Sequence, residues 1–374
     1  MSRENMEYRE SVLKSEEKTV FLLRNLYQSF GYRQYKMSKF EEYDLYAGNK
    51  DFLISDNIIT FTDTNGRLMA LKPDVTLSIV RNTKDMDGSV SKVFYDENVY
   101  RIPKGSHAYK EILQAGLECI GEIDNYCLGE VLYLAAASLG AISSGYLLNI
   151  SHLGIISGLL QDMHLSPEQS QNALRLIGEK NMHELKRLCE NAGCDAGDIT
   201  RLIRVVSTNG APEEVLPVLE ECGCDKEAVM QLEGLCRILR STGEADHIVI
   251  DFSVVNDMSY YNGIVFRGYI EGVPNGILSG GQYDKLLRKM GRKARAVGFA
   301  VYLDFLERFY EQEPGLDTDV VLLYTSETDQ ELLFRAVRQL TAEGLRVTAQ
   351  KELPKKLRYG RVMRIDPEGV LETC

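Results

Sequence analysis

Apolar residues recur at helical spacing over Val12–Phe30, at Val20, Leu23, Leu26, Tyr27 and Phe30, and Gly31 offers a left-handed stop. This predicts an amphipathic helix. Extended runs follow at Tyr32–Met37, Ile58–Thr62 and Leu68–Leu71, the last two joined as a hairpin by Asp63-Thr64-Asn65-Gly66. Beyond Lys72 the pattern predicts a helix over Pro73–Asn82, then strands over Lys92–Tyr100 and Glu111–Cys119. The polar connection between those strands, Ile102–Tyr109, exceeds most hairpin loops, and long tips often close over ligands. A helix is predicted from Tyr126 to Ala141. The most apolar stretch, Val131–Leu160, is broken by Ser143, Ser144, Gly145, Asn149, Ser151 and His152, so it reads as buried core and not as a membrane span.

Between 165 and 243 the composition shifts to helix formers with few aromatics. Ser166-Pro167-Glu168-Gln169 is a strong helix start and Ala211-Pro212-Glu213-Glu214 begins another, so the segment reads as an all-helical insertion. The sheet pattern resumes at His247–Val254 and Tyr260–Tyr269, turns through Gly272–Gly276 and continues at Ile277–Leu278. A helix over Tyr283–Met290, a strand over Ala296–Phe299 and a helix over Tyr302–Tyr310 complete a domain spanning 1–312. Glu313-Pro314-Gly315 is the best linker candidate. The remainder, 317–374, reads as a small α/β domain built on one β-α-β unit: Val320–Tyr324, Gln330–Glu343 and Leu345–Ala349.

The chain has 374 residues, and 43 Lys+Arg against 55 Asp+Glu give a formal charge of −12. That length allows a full-sized core, and the acidic balance argues against a non-specific nucleic-acid coat. The first thirty residues show no basic-then-apolar leader pattern, so a cytoplasmic location is expected, with eight reduced cysteines. Cys189, Cys194, Cys222 and Cys224 are the only possible metal cluster. Their C-x4-C and C-x-C spacings depart from zinc geometry, so packing thiols are expected, with no metal and no cofactor.

The chain contains no P-loop, H-E-x-x-H, G-x-S-x-G or G-x-G-x-x-G. What remains is polar residues on predicted strands. Asp74 and Thr76 lie where a strand enters a helix, and Gln114 and Glu118 share a strand face with Gly116 between them. Gly280-Gly281 would let a ligand approach the backbone, and Tyr260 and Tyr261 offer rings with hydroxyl handles. Paired carboxylates, an amide and aromatic rings suit an ammonium group attached to a polar ring. The basic run Arg288–Arg295 reads as a helix C-terminus stopped by Gly291, though it is the one patch that could favour phosphate or RNA.

Several of these residues carry a resemblance. Gly31-Tyr32-Arg33-Gln34-Tyr35-Lys36 with Phe40-Glu41-Glu42-Tyr43, Leu71 to Thr76, Tyr100-Arg101, Gln114 to Gly121, Tyr260-Tyr261-Asn262 with Val265-Phe266, and Gly280-Gly281-Gln282-Tyr283-Asp284 with Ala296 to Ala300 occur in order. Together they resemble the class II histidyl-tRNA synthetase core. The resemblance implies an α+β fold: an antiparallel sheet flanked by helices, with the helical insertion and a shortened anticodon-binding-like C-terminal piece.

Departures from that family concentrate on ATP handling. Asn256 stands where the synthetase motif begins with Arg, Phe305 where the motif 3 arginine holds the purine, and Pro103 where motif 2 has its acid; Ser38 replaces the motif 1 proline. The amino-acid contacts Asp74, Thr76, Gln114 and Glu118 remain. This pattern resembles the catalytically inactive synthetase paralogues that regulate short-form ATP phosphoribosyltransferase. The resemblance implies a non-catalytic subunit that binds the catalytic subunit, activates it and transmits histidine feedback, without tRNA, around a homodimer core. It also implies a histidine site: Asp74 and Glu118 at the ammonium with Gln114 and Thr76, Arg101 at the carboxylate, and Tyr260 and Tyr261 beside the ring. A divergent active synthetase and a free-standing amino-acid or tRNA sensor remain as alternatives.

Overall fold

The computed structural model describes residues 14–49, 52–53, 58–84, 88–102, 108–255, 260–306, 316–366, 368–369 and 371–373. The chain divides into two compact units, Met1–Tyr310 and Glu311–Cys374. The proposed linker Glu313–Gly315 lies outside the described residues, as do Pro103 and Asn256.

In the first unit, α1 (Ser15–Ser29) buries Val20, Leu23 and Tyr27 and ends at Gly31, whose φ is +81°. Next come β1 (Arg33–Gln34), β2 (Phe40–Glu42), α2 (Tyr43–Ala47), β3 (Thr60–Thr62), β4 (Leu68–Leu71) and α3 (Thr76–Asn82). The β3–β4 hairpin forms with Asp63 accepting the turn N–H groups of Asn65 and Arg67. Sequence periodicity placed the start of α3 at Pro73, three residues early. It missed β2 and α2, which are too short to show a period.

The long strands β5 (Val90–Arg101) and β6 (Lys110–Gly121) pair antiparallel from Val90 opposite Gly121 to Arg101 opposite Lys110. They are followed by α4 (Asn125–Ile142), β7 (Tyr146–His152) and α5 (Leu153–Asp162). The helix α4 has the length and composition of a membrane span. The apolar stretch that starts at Val131 covers only its later turns. Its residues Val131, Leu132, Leu134, Ala135, Ala136 and Leu139 are buried in the large core.

The insertion is α6 (Pro167–Gly178), α7 (Met182–Asn191), α8 (Ala196–Ser207), a two-residue strand β8 (Asn209–Gly210), α9 (Pro212–Glu221) and α10 (Lys226–Ser241). The α6 start is a capping box between Ser166 and Gln169. Cys189, Cys222 and Cys224 are buried among apolar neighbours there. The first unit closes with β9 (Ile248–Asp251), β10 (Ile264–Ile270), β11 (Leu278–Gln282), α11 (Asp284–Lys289), β12 (Arg295–Tyr302) and a 3-10 turn at Leu303–Leu306 in place of the expected helix start. Tyr260 and Tyr261 precede β10, not within it as expected.

Among the described residues the large sheet runs β1-β5-β6-β12-β11-β10-β7-β9-β8, antiparallel except at β1/β5 and β7/β9. Period-two alternation divides β6 between two cores. Ala115, Leu117 and Cys119 face the larger one with α1, α4 and the insertion, whereas Ile120 faces a smaller one with Leu45, Tyr46, Leu77, Ile79, Leu286 and Leu287. Gln114, Gly116 and Glu118 share the latter face.

The second unit contains β13 (Thr318–Leu323), α12 (Gln330–Ala342), β14 (Val347–Gln350), β15 (Tyr359–Ile365) and β16 (Leu371–Thr373), in sheet order β14-β13-β15-β16. It is therefore larger than one β-α-β unit. The charged residues interleaved in β15 hid it from the sequence pattern, since only Met363 and Ile365 are buried there.

Candidate functional site

The site lies on the β6 face that carries even-numbered residues, under the junction between β4 and α3. That junction is pinned to β5: the backbone N–H of Tyr100 donates to Lys72 O at 3.0 Å, and the buried Lys72 ammonium pairs with Glu97. The chain then turns so that Asp74 Oδ1 accepts the Leu77 N–H at 2.9 Å in the first turn of α3. Thr76, at the start of that helix, points down at the sheet.

Glu118 is at the centre. Its Oε1 accepts the Thr76 hydroxyl at 2.6 Å and its Oε2 accepts the Tyr283 hydroxyl at 2.5 Å. The residue is 2% exposed, and burial pushes its carboxyl up to about 8, a rise that Asp74 reinforces and the two hydroxyls moderate. The carboxylate occupies a berth left by Gly298 on β12, where a Cβ would overlap Oε2. Gly116 plays the same part for Tyr95, whose hydroxyl would lie 2.7 Å from an added Cβ.

Asp74 faces Arg101, with Nη2 to Oδ2 at 3.6 Å, and Arg101 Nε donates to Pro73 O at 2.5 Å. Burial raises the Asp74 carboxyl, against the pull of Arg101 and the backbone N–H groups. Asp74 thus has the Arg101 guanidinium beside it, whereas Glu118 is held by two hydroxyls and has no cation partner among the described residues.

The aromatic wall is Tyr260, with ring centroids 4.6 Å from Tyr261, 5.6 Å from Tyr283 and 5.8 Å from Phe52. Burial beside Asp74 keeps the Tyr260 hydroxyl protonated well past its usual range. Gln114 lies four residues back along β6, opposite Tyr302 on β12. It is 2% exposed, and its Nε2 has no partner among the described residues, nor does the hydroxyl of fully buried Tyr46. A buried amide left unpaired is costly.

The sequence-predicted residues Asp74, Thr76, Arg101, Glu118 and Tyr260 come together, with Tyr261 beside Tyr260 and Gln114 on the same face. The reading of Gly280-Gly281 as a place for ligand approach is corrected: a Cβ on Gly280 would meet Phe266 at 2.6 Å, and one on Gly281 would meet Tyr261 at 2.8 Å. Those glycines admit neighbouring rings. Tyr283 and Gly298 were missed as site residues. Both stand in runs quoted for the resemblance; the pairing of β12 with β6 sets Gly298 opposite Glu118, and Tyr283, between β11 and α11, reaches it through its hydroxyl.

The histidyl-tRNA synthetase family profile matches residues 7–306. An ATP phosphoribosyltransferase regulatory subunit of Halalkalibacterium halodurans is 31% identical over 289 residues, covering 74% of this chain and 71% of the relative. The chain belongs to the ATP phosphoribosyltransferase regulatory subunit family, on the histidyl-tRNA synthetase fold. A second family member, from Oceanobacillus iheyensis, is 26% identical over 92% of this chain and 87% of its own length. The crystal structure of an ATP phosphoribosyltransferase regulatory subunit/histidyl-tRNA synthetase from Bacillus halodurans superposes with a TM-score of 0.73 at 26% identity, covering 90% of this chain and 88% of that one. The class II synthetase-like α+β architecture expected from the sequence is the one this family adopts.

Proposed function

We propose that this chain is the regulatory subunit of an ATP phosphoribosyltransferase, assembling with the catalytic subunit, raising its activity and conveying inhibition by histidine in the first step of histidine biosynthesis. The observation that carries this reading is similarity, over most of both chains, to relatives bearing that name. The pocket supports histidine as the effector: Glu118 and Asp74 for the α-ammonium, Thr76 holding Glu118, Arg101 for the carboxylate, Gln114 for a ligand acceptor, and Tyr260 and Tyr261 beside the ring.

The chain makes no adenylate in this reading. Phe305, 39% exposed and with its ring tilted against Tyr302 at a centroid distance of 6.0 Å, cannot supply the planar charge of an arginine, and charge stabilisation dominates such chemistry. Asn256 and Pro103 carry the same argument from the sequence alone. Assembly begins with a second copy of this chain: the β2-β4-β3 sheet exposes Phe40, on the segment around Ser38–Tyr46 where class II cores pair, with Phe61 of β3 as its ring partner at 5.2 Å.

Two measurements test the reading. The purified chain should bind a short-form ATP phosphoribosyltransferase catalytic subunit in a stable complex, and should show no histidine-dependent ATP–pyrophosphate exchange. Exchange above background, or no complex at micromolar concentrations, would overturn it.

A further inference from the structure

The turn between α7 and α8 brings two of the insertion cysteines together. The helix α7 ends in a left-handed cap at Gly193, whose φ is +76° and whose N–H donates to Glu190 O at 3.0 Å. The N–H of Cys194 reaches back to Cys189 O at 3.1 Å, so a single backbone bond bridges the two cysteines. Standard bond lengths then hold their Cα atoms within about 7 Å, and the bent path shortens this further. A disulfide spans about 4.4–6.8 Å between Cα atoms. Asp195 follows as the cap of α8, accepting the Gly197 N–H at 2.7 Å, so the turn is fixed on both sides.

The sulfurs continue this link into a chain. The Cys189 thiol, fully buried, donates to the Cys194 sulfur, and burial is the first cause that pushes it up to about 11. Cys194 is partly exposed, and its Sγ donates to Met163 O at 3.6 Å, at the C-terminus of α5. Beside this bond Arg201 of α8 pairs with Asp162 of α5 at 2.6 Å. The thiol chain is therefore part of the seam between the insertion and α5.

The next helical hairpin supplies a comparison within the chain. The helix α9 ends at Gly223, with φ +61°, the Cys224 N–H donates to Leu219 O at 3.1 Å, and Asp225 caps α10. It is the same turn, with Leu219 where the first has Cys189. Such caps commonly carry an apolar contact between these two positions, and leucine provides it without sulfur. What Cys189 adds is a second thiol within reach of Cys194.

We propose that Cys194 and Cys189 form a reversible disulfide by exchange with a small disulfide of the oxidised glutathione type. The Cys194 thiol gives its proton to water, and its sulfur attacks the small disulfide and expels one half as a thiolate. Cys189 loses its proton to that thiolate and attacks the Cys194 sulfur, which releases the second half. The released thiolates recover both protons, so two protein thiols become one disulfide and one small disulfide becomes two thiols. Closure consumes the S–H that Met163 O accepts and removes the sulfur link from the insertion to α5.

The test is incubation of the full chain with oxidised glutathione, followed by acid quenching, alkylation and peptide mass mapping, with amide hydrogen exchange on the same samples. The parent yields a Cys189–Cys194 linked peptide that a dithiol reductant reverses, while Cys224 remains an alkylatable thiol. Cys189→Ala stops at a glutathione adduct on Cys194, because the resolving thiol is gone. Exchange at the C-terminal turn of α5 is faster in the oxidised parent than in the reduced one. The deciding readings come from the parent, so a variant that fails to fold does not rescue the idea. Cys194 left unmodified, a glutathione adduct that persists unresolved in the parent, a link from Cys194 to any cysteine other than Cys189, or α5 exchange unchanged by oxidation would overturn it.

Discussion

Protonation of Glu118 should control histidine affinity, and the size of the effect follows from the site. The free carboxyl titrates near 8, and an ammonium needs it ionised. Half of the molecules are ionised at pH 8 and about one in a hundred at pH 6, so affinity should fall about fiftyfold over that interval, or ~2.3 kcal/mol. Binding at pH 7 should release about 0.9 proton from this group, read as the dependence of calorimetric enthalpy on buffer ionisation. Histidine's own ring titrates near pH 6.5, so the informative quantity is the difference between the parent and Glu118→Gln. The variant should bind at least about tenfold more weakly at pH 8, since an unpaired buried charge partner costs roughly 2–5 kcal/mol, and it should lose the Glu118 part of the pH slope. Superimposable pH profiles for parent and variant, or no proton release at pH 7, would refute the reasoning and move histidine elsewhere.

The same carboxyl makes the ligand-free chain pH-sensitive. Its folded value near 8 lies above the ordinary 4.5, so the folded state holds the proton more tightly. That stabilisation is complete below about pH 4.5 and is lost as pH rises through about 8; thermal unfolding between pH 5.5 and 8.5 should therefore fall more steeply in the parent than in Glu118→Gln. Gly298→Ala should displace the Glu118 carboxylate and cost about 1–3 kcal/mol by denaturant titration, with histidine binding weakened at least about tenfold. Phe61→Asp should convert a dimer into monomer by light scattering, because it puts a charge on the exposed aromatic face of the small sheet.

Much of this architecture was legible because its elements are long. Twelve-residue strands such as β5 and β6 display period two over enough positions to pair Gln114 with Glu118 on one face, and the capped, amphipathic insertion helices declare their own ends. What stayed hidden depends on register between distant segments. No local signal says that Tyr283 donates to Glu118, or that Gly298 exists to admit a carboxylate. Gly280-Gly281 looked like a ligand floor for the same reason: a missing Cβ is visible in sequence, but the group that fills the space is not. Arg101 was expected at the ligand carboxylate, and the fold holds it against Asp74 and Pro73 O, from which it can serve both.

The most direct test of the central claim is the activity of the reconstituted enzyme. The short-form catalytic subunit should be assayed for phosphoribosyl transfer alone, with this chain, and with this chain carrying Glu118→Gln, each across a histidine titration. The chain should raise activity and confer histidine inhibition, and Glu118→Gln should keep the activation while shifting inhibition to at least about tenfold higher histidine. Activity unchanged by the chain would contradict the regulatory assignment, and activation with histidine inhibition identical in the variant would contradict the pocket.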